Sequence, residues 1–218
     1  MAAMILAAGR GERLRPVTDR IPKALVAIHG ERLIDRHLRA VADARIAAAV
    51  INLGWLGEQI VDHVGCGEQF GVQAVYSPEF DEILETGGGI CRALPLLGDA
   101  AFWVINADIF TDMPLPEHPL ADELLAELVL VPTPAHKAHG DFDLLDGKVR
   151  NGDAPQYTFS GVARYRPAFF AAVGDGRFSV APLLREAANC GTLGGLLYEG
   201  VWEDVGTPQR LERLNRRR

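Results

Sequence analysis

The run Leu6-Ala7-Ala8-Gly9-Arg10-Gly11-Glu12-Arg13-Leu14, with Pro22-Lys23 shortly behind it, has the chemistry of a phosphate-binding loop. Two glycines free the backbone for tight or positive-φ conformations, and small Ala7 and Ala8 let a ligand approach the main chain. Successive amides in such a loop form an anion-binding nest, with Arg13 as a planar donor and Lys23 as a point charge. Between Arg10 and Lys23 there are five basic residues and two acidic ones, whereas the rest of the chain carries 17 basic and 27 acidic residues. One short positive segment on a protein of net charge −7 suits a small polyanion and argues against nucleic acid. The loop lacks the third glycine of a dinucleotide fingerprint and the Gly-Lys-Ser/Thr of a P-loop.

Two aspartates supply the complementary charge. Asp108 follows the apolar run Phe102–Ile105, which places its carboxylate at the C-terminal edge of a sheet, where α/β proteins bind ligands. Asp204 follows Val201-Trp202 and precedes a Gly-Thr turn. Two carboxylates brought to one edge can hold Mg²⁺, a hard cation that keeps several waters; either alone is as readily a cap or turn residue. His136 and His139 lie three apart without a third ligand at suggestive spacing, and are not read as a metal pair. Cys66, Cys91 and Cys190 form no framework, so reduced thiols in a cytoplasmic protein are expected.

These residues need a scaffold, and the hydrophobic pattern describes one. Ala3–Leu6, Ala48–Asn52, Val72–Tyr76 and Phe102–Ile105 read as buried strands. Between them, residues 33–44, Gly57–Val64 and Gly88–Leu94 read as helices. Strand, helix, strand with such short connections means βαβ units and a parallel sheet. Later strands are expected at Leu128–Val131, Phe142–Leu145 and Thr158–Tyr165, with a hairpin turn at Asp146-Gly147. Helices are expected at Val180–Ala188 and Pro208–Leu214, and the Arg216–Arg218 run reads as a solvated end. The expected fold is α/β: a Rossmann-like, mixed but mainly parallel sheet flanked by helices. It forms a single domain, with residues 1–112 mainly a nucleotide lobe and 113–218 a sugar-binding lobe carrying the second aspartate. No apolar run approaches the roughly 20 residues that span a bilayer, so no membrane association is expected.

The run LAAGRGERLRPVT followed by PKALV resembles the N-terminal motif of the sugar-1-phosphate nucleotidyltransferases. Further segments follow in that family's order: Glu85-Thr86-Gly87-Gly88, Asn106-Ala107-Asp108, Phe159-Ser160-Gly161 and Trp202-Glu203-Asp204-Val205-Gly206-Thr207. The resemblance implies transfer of a nucleotidyl group from a nucleoside triphosphate to a sugar 1-phosphate, with release of pyrophosphate and Mg²⁺ on Asp108 and Asp204. Arg13, Lys23 and Asp108 become the implied catalytic residues. Leu6, Ala7, Ala8, Gly9, Gly11, Arg13, Lys23, Glu85, Thr86, Gly87 and Asn106 become the implied nucleotide contacts. Gly140, Asp141, Phe159, Ser160 and Gly161 are implied on the sugar side. Within the family the chain looks most like members that use UTP and N-acetylmuramate α-1-phosphate for cell-wall recycling. The rival is mannose-1-phosphate guanylyl transfer, and a non-catalytic nucleotide-sugar sensor is a further alternative. A monomer or weak dimer is expected. One departure stands out: many relatives carry Glu-Lys-Pro on the sugar side, with the lysine on the sugar phosphate, where this chain has Asp153-Ala154-Pro155. The acceptor phosphate is thereby left to Lys23 or an arginine such as Arg185.

Overall fold

The computed structural model describes residues 1–80 and 82–216; of the C-terminal arginine run, Arg217 and Arg218 lie outside the described residues. The first half alternates strand and helix: β1 (Ala2–Leu6), the short β2 (Ala27–Ile28) and β3 (Glu31–Arg32), α1 (Leu33–Asp43), β4 (Ala48–Leu53), α2 (Gly57–Val64), β5 (Gln73–Pro78), α3 (Glu85–Leu97) and β6 (Phe102–Asn106). There follow β7 (Ile109–Thr111), β8 (Ala126–Pro132), β9 (Asp143–Leu145), β10 (Lys148–Arg150) and β11 (Tyr157–Tyr165). The chain then adds α4 (Ala181–Cys190), β12 (Leu193–Leu197), β13 (Trp202–Asp204) and α5 (Pro208–Arg216).

Nine strands form one sheet in the order β5-β4-β1-β6-β11-β8-β12-β10-β9. Seven of them run in one direction and β11 and β10 run against them, so the sheet is mixed and mainly parallel, as expected. The C-terminal ends of β1, β4, β5, β6, β8 and β12 therefore share one edge, and the start of β11 joins them there. The β9–β10 hairpin turns at Asp146-Gly147, both with positive φ (50° and 73°), as the Asp-Gly pair requires.

Alternation along the central strands sends side chains to both faces. Ala3 and Ile5 of β1 enter a core with Ile34, Leu38, Ile51 and Ile60, whereas Ala2 and Met4 enter the opposite core with Val50, Ile90, Ala93 and Leu184. Helices α1 and α2 cover the first face and α3 and α4 the second, which gives three layers. A third, smaller core joins Leu14, Val26, Ile28, Leu33, Phe110, Val205 and Leu214. It ties the end of the glycine loop to β7 and to the β13–α5 segment, stretches remote from one another in sequence. Burial of the Leu14 side chain there contributes about 1.5–3 kcal/mol to that junction.

The structure adds elements that the periodicity hides. β12 contains Gly194-Gly195, which weakens its strand signal, and the neighbouring side chains pack close over both: a Cβ on Gly194 would lie 2.6 Å from Leu124, and one on Gly195 2.7 Å from Val149. Helix α3 begins at Glu85 rather than Gly88. Its first turn is held from outside, because Gly87 and Gly88 both donate to the Phe178 carbonyl and Phe178 donates to that of Leu84. Among the described residues no helix is long and apolar enough to cross a membrane, and the three cysteines are free.

Candidate functional site

Beyond β1 the chain cannot continue as a strand, and three contacts fix its course. Ala7 N–H donates to Asn52 Oδ1 (2.6 Å), Trp55 N–H donates to the Ala8 carbonyl (3.1 Å), and Thr18 Oγ1 donates to the Gly11 carbonyl (2.8 Å). Gly11 has φ +62°, and a Cβ there would meet Thr18 at 2.9 Å. Only glycine fits this bend without strain. The loop opens into a cleft of about 980 Å³ at the C-terminal edge of the sheet. Its walls include Leu6, Ala7, Ala8, Gly9, Gly11, Arg13 and Lys23 from the loop, with Glu85, Thr86, Asn106 and Asp108.

The two aspartates meet by strand pairing. Asp108 lies between β6 and β7, Asp204 ends β13, and β13 pairs antiparallel with β7 so that Asp204 stands opposite Ile109. Val205 N–H donates to the Asp108 carbonyl (2.9 Å), which joins the two turns. Lys23 Nζ lies 2.6 Å from Asp108 Oδ2, with its side chain 13% exposed. Arg210 of α5 pairs with Asp204 Oδ2, and His136 Nε2 lies 3.9 Å from Asp204 Oδ1. That Oδ1 is buried and has no hydrogen-bond partner. Among the described residues no cluster of three or more His, Cys, Asp or Glu side chains is arranged around a metal position. Two carboxylates with one unpartnered buried oxygen fit an ion that takes its remaining ligands from water and phosphate, which is how Mg²⁺ is held.

Other expected residues are placed differently. Gly87 does not line the cleft: its amide is bonded to Phe178, and a Cβ there would lie 2.3 Å from the Phe178 ring. It is a packing glycine. Thr86 lines the cleft, but its hydroxyl accepts from Val180 N–H (3.0 Å), and Glu85 is paired with Arg177 (2.9 Å). On the sugar side, none of Gly140, Asp141, Phe159, Ser160 and Gly161 lies on the main cleft wall. Asp141 Oδ2 accepts from Phe159 N–H (2.9 Å) and Lys137 Nζ (3.3 Å), which fixes a loop against β11. Gly140 N–H donates to the Pro155 carbonyl (2.7 Å). Ser160 is buried, with its hydroxyl on Val162 N–H and its carbonyl on the Trp202 indole. Gly161 sits in a bulge of β11 at φ +86°, packed on Asn106, so this strand borders the cleft from behind Asn106. Arg185 is far from any such role: it stacks on Phe142 (4.7 Å) and donates to Asn151 Oδ1 (3.0 Å).

Sequence reasoning missed four contributors. Asn52 and Glu79 form a buried pair (2.8 Å) beneath the loop, and Glu79 also accepts from Leu84 N–H (3.0 Å). The signal was available: Asn52 is a polar residue in the apolar run Val50–Leu53 at a strand's C-terminal end. His37 of α1 is buried behind Asp108, and burial drives its pKa down to about 4 against the pull of that carboxylate. Arg210 was hidden in an ordinary helical pattern. Trp55 lines the cleft and donates from Nε1 to the Thr18 carbonyl (2.9 Å).

The nucleotidyl transferase family model matches residues 2–140, which include the glycine loop, the strands β1, β4, β5, β6 and β8, and Asp108. The chain belongs to the nucleotidyl transferase family. It is 45% identical to the N-acetylmuramate alpha-1-phosphate uridylyltransferase of Neisseria meningitidis, over 97% of this chain and 96% of that one. It is 36% identical to the enzyme of the same name from Caulobacter vibrioides, over 95% and 92%. A mannose-1-phosphate guanyltransferase of Candida albicans matches more narrowly, at 34% over 64% of this chain and 35% of its own. A solved structure of a Bacillus anthracis protein assigned as a glucose-1-phosphate thymidylyltransferase superposes with a TM-score of 0.86, covering 99% of this chain and 94% of that one. At 21% identity that likeness speaks for the fold.

Proposed function

We propose that this member of the family transfers a uridylyl group from UTP to N-acetylmuramate α-1-phosphate, giving UDP-N-acetylmuramic acid and pyrophosphate. The carrying observation is the cleft that gathers the glycine loop, Arg13, Lys23 and Asp108, with Asp204 brought to the turn of Asp108 by the pairing of β13 with β7. The substrate pair is supported by the near-full-length likeness to the two uridylyltransferases. A cytoplasmic location follows from the same reading, since nucleoside triphosphates are found there.

In the reaction, a phosphate oxygen of the sugar 1-phosphate forms a bond to the α-phosphorus of UTP. The bond from that phosphorus to the α,β-bridging oxygen breaks, and pyrophosphate departs with the electron pair. Such a displacement needs positioning and charge neutralisation rather than a protein nucleophile. The loop amides cradle the triphosphate. Arg13 stabilises the charge that grows on the leaving pyrophosphate, and Lys23 holds the α-phosphate as its charge shifts. Asp108 and Asp204 would hold Mg²⁺, which supplies charge neutralisation between the phosphates when bound. Residues 1–112 serve mainly the nucleotide and 113–218 the sugar.

The test is pyrophosphate release with Mg²⁺ across a panel of triphosphates and sugar 1-phosphates. UTP with N-acetylmuramate 1-phosphate is expected to be the fastest pair. Faster turnover with GTP and mannose 1-phosphate would replace the substrate and keep the reaction class; no turnover with any pair would end the enzymatic reading.

A further inference from the structure

Arg10, Arg13, Lys23 and Arg177 are the basic residues on the cleft wall. Lys23 is paired with Asp108 (2.6 Å) and Arg177 with Glu85 (2.9 Å), whereas among the described residues neither Arg10 nor Arg13 has a carboxylate partner. Arg13 belongs to the chemistry proposed above. Arg10, exposed between the two loop glycines, has so far no part in it.

Arg10 is aimed rather than loose. Its guanidinium lies over the ring of Trp55, 5.5 Å from the centroid, a cation–π contact. Trp55 is itself fixed to both arms of the loop that presents Arg10. Its backbone N–H donates to the Ala8 carbonyl (3.1 Å), and its indole Nε1 donates to the Thr18 carbonyl (2.9 Å). Thr18 in turn holds Gly11 through Oγ1 (2.8 Å). The kind of contact matters here. Stacking occupies the face of a guanidinium and leaves the N–H donors in its plane for phosphate oxygens, which an ion pair would consume.

We infer that Arg10 binds the β- and γ-phosphates of the triphosphate, the part that leaves as pyrophosphate, and that Trp55 positions it for this. The inference rests on the reaction proposed above. Sheet order says which phosphates are meant. Neighbouring strands run β4, β1, β6, β11, so Trp55, just after β4, and the β11 side stand on opposite flanks of the glycine loop and Asp108. Lys23 and Asp108 mark the α-phosphate, and the acceptor approaches from the flank of residues 113–218. Attacking and leaving oxygens lie roughly in line in such a displacement, so pyrophosphate departs toward the opposite flank, where Arg10 rests on Trp55. Charge grows there as the bond to the α-phosphorus breaks, and a guanidinium already in place stabilises it.

The test compares UTP with UMP, which lacks the outer phosphates. Calorimetry in Mg²⁺ gives Kd for both on the parent, Arg10→Met and Arg20→Met; Arg20 is a basic residue of the same segment that does not line the cleft. Losing a charge-assisted phosphate contact in Arg10→Met should raise the UTP Kd about tenfold or more, with the UMP Kd and the sugar-phosphate KM changed less than about threefold. In the reverse reaction the pyrophosphate KM should rise while that of the UDP-sugar stays. An unchanged UTP Kd, an equal loss for UMP, or the same loss in Arg20→Met overturns the inference. Trp55→Leu and Trp55→Phe both remove the indole donor, but only Phe keeps an aromatic face. The Arg10→Met effect on UTP should therefore shrink in the Leu background and persist in the Phe background, and an equal effect in both refutes the positioning role. Binding is read without turnover, so a protein that binds UTP but joins it to no sugar phosphate refutes the proposed reaction and still decides Arg10. If GTP proves the better triphosphate, the same comparison runs with GTP and GMP.

Discussion

Removing the Asn52 side chain should loosen the glycine loop from below. Asn52 makes two buried contacts in opposite senses: Oδ1 accepts from Ala7 N–H at 2.6 Å, and Nδ2 donates to Glu79 Oε1 at 2.8 Å. Asn52 and Glu79 are 3% and 1% exposed, so bulk water does not replace what is lost. In Asn52→Ala the Ala7 amide is left unpaired, at a cost of about 1–3 kcal/mol, and Glu79 loses a hydrogen bond to an acidic group of about 1.5–3 kcal/mol. A water entering the space recovers part of this, which gives a net loss of about 3 kcal/mol. For a domain of this size that lowers Tm by about 6–12 °C. Differential scanning calorimetry reads it directly, with Asn189→Ala as control, because its bond to Asn151 is exposed and surface changes stay within about 0.5 kcal/mol. Since Ala7 opens the phosphate loop, the triphosphate KM should rise with the same substitution. A Tm loss below about 2 °C would show that the Asn52–Glu79 pair does not hold the loop, and the account of the site's floor would be wrong.

Two further outcomes are expected. Asp108→Asn should lose Mg²⁺-dependent turnover by orders of magnitude with an unchanged melting temperature; activity near the parent level removes Asp108 from the metal pair. His37 has a folded pKa lowered to about 4, so between pH 6.5 and 4 the unfolded chain binds the proton and the folded chain does not. Stability from this group is complete above pH 6.5 and is lost on acidification, by at most about 3 kcal/mol. Urea unfolding from pH 7 to 4 should therefore show a shallower loss in His37→Leu than in the parent, and equal slopes would contradict a buried neutral imidazole.

The parallel half of the fold was legible because each strand there is a short apolar run closed by a turn and followed by a helix of clear period, as in Ala2–Leu6 or Ala48–Leu53. The Asp146-Gly147 hairpin was legible for a local reason too, since both residues must take positive φ. What stayed hidden depends on tertiary packing. Glu85-Thr86-Gly87 falls outside the helix expected from Gly88, yet the Phe178 carbonyl, accepting from Gly87 and Gly88 N–H, holds it as the first turn of α3. The same contact turns Gly87 from an expected ligand amide into a packing position. On the sugar side, Asp141 and Ser160 are polar residues whose partners are backbone groups of β11, a pairing that no spacing along the chain announces.

The pairing of the two aspartates shows why motif order can locate a site without describing it. Asp108 is placed by β6, a central strand of the main sheet, but Asp204 is placed only by the three-residue ribbon of β13 on β7. A ribbon that short has little stability of its own. It holds because Phe110 and Val205 enter the same small core as Leu14 of the glycine loop and Leu214 of α5. The parts that would meet the nucleotide and the helix that carries Arg210 are thus stabilised by one shared cluster. A cavity there, as in Val205→Ala, should move Asp204 and Arg210 together relative to Arg13, so damage to that core reaches the site before it reaches the sheet.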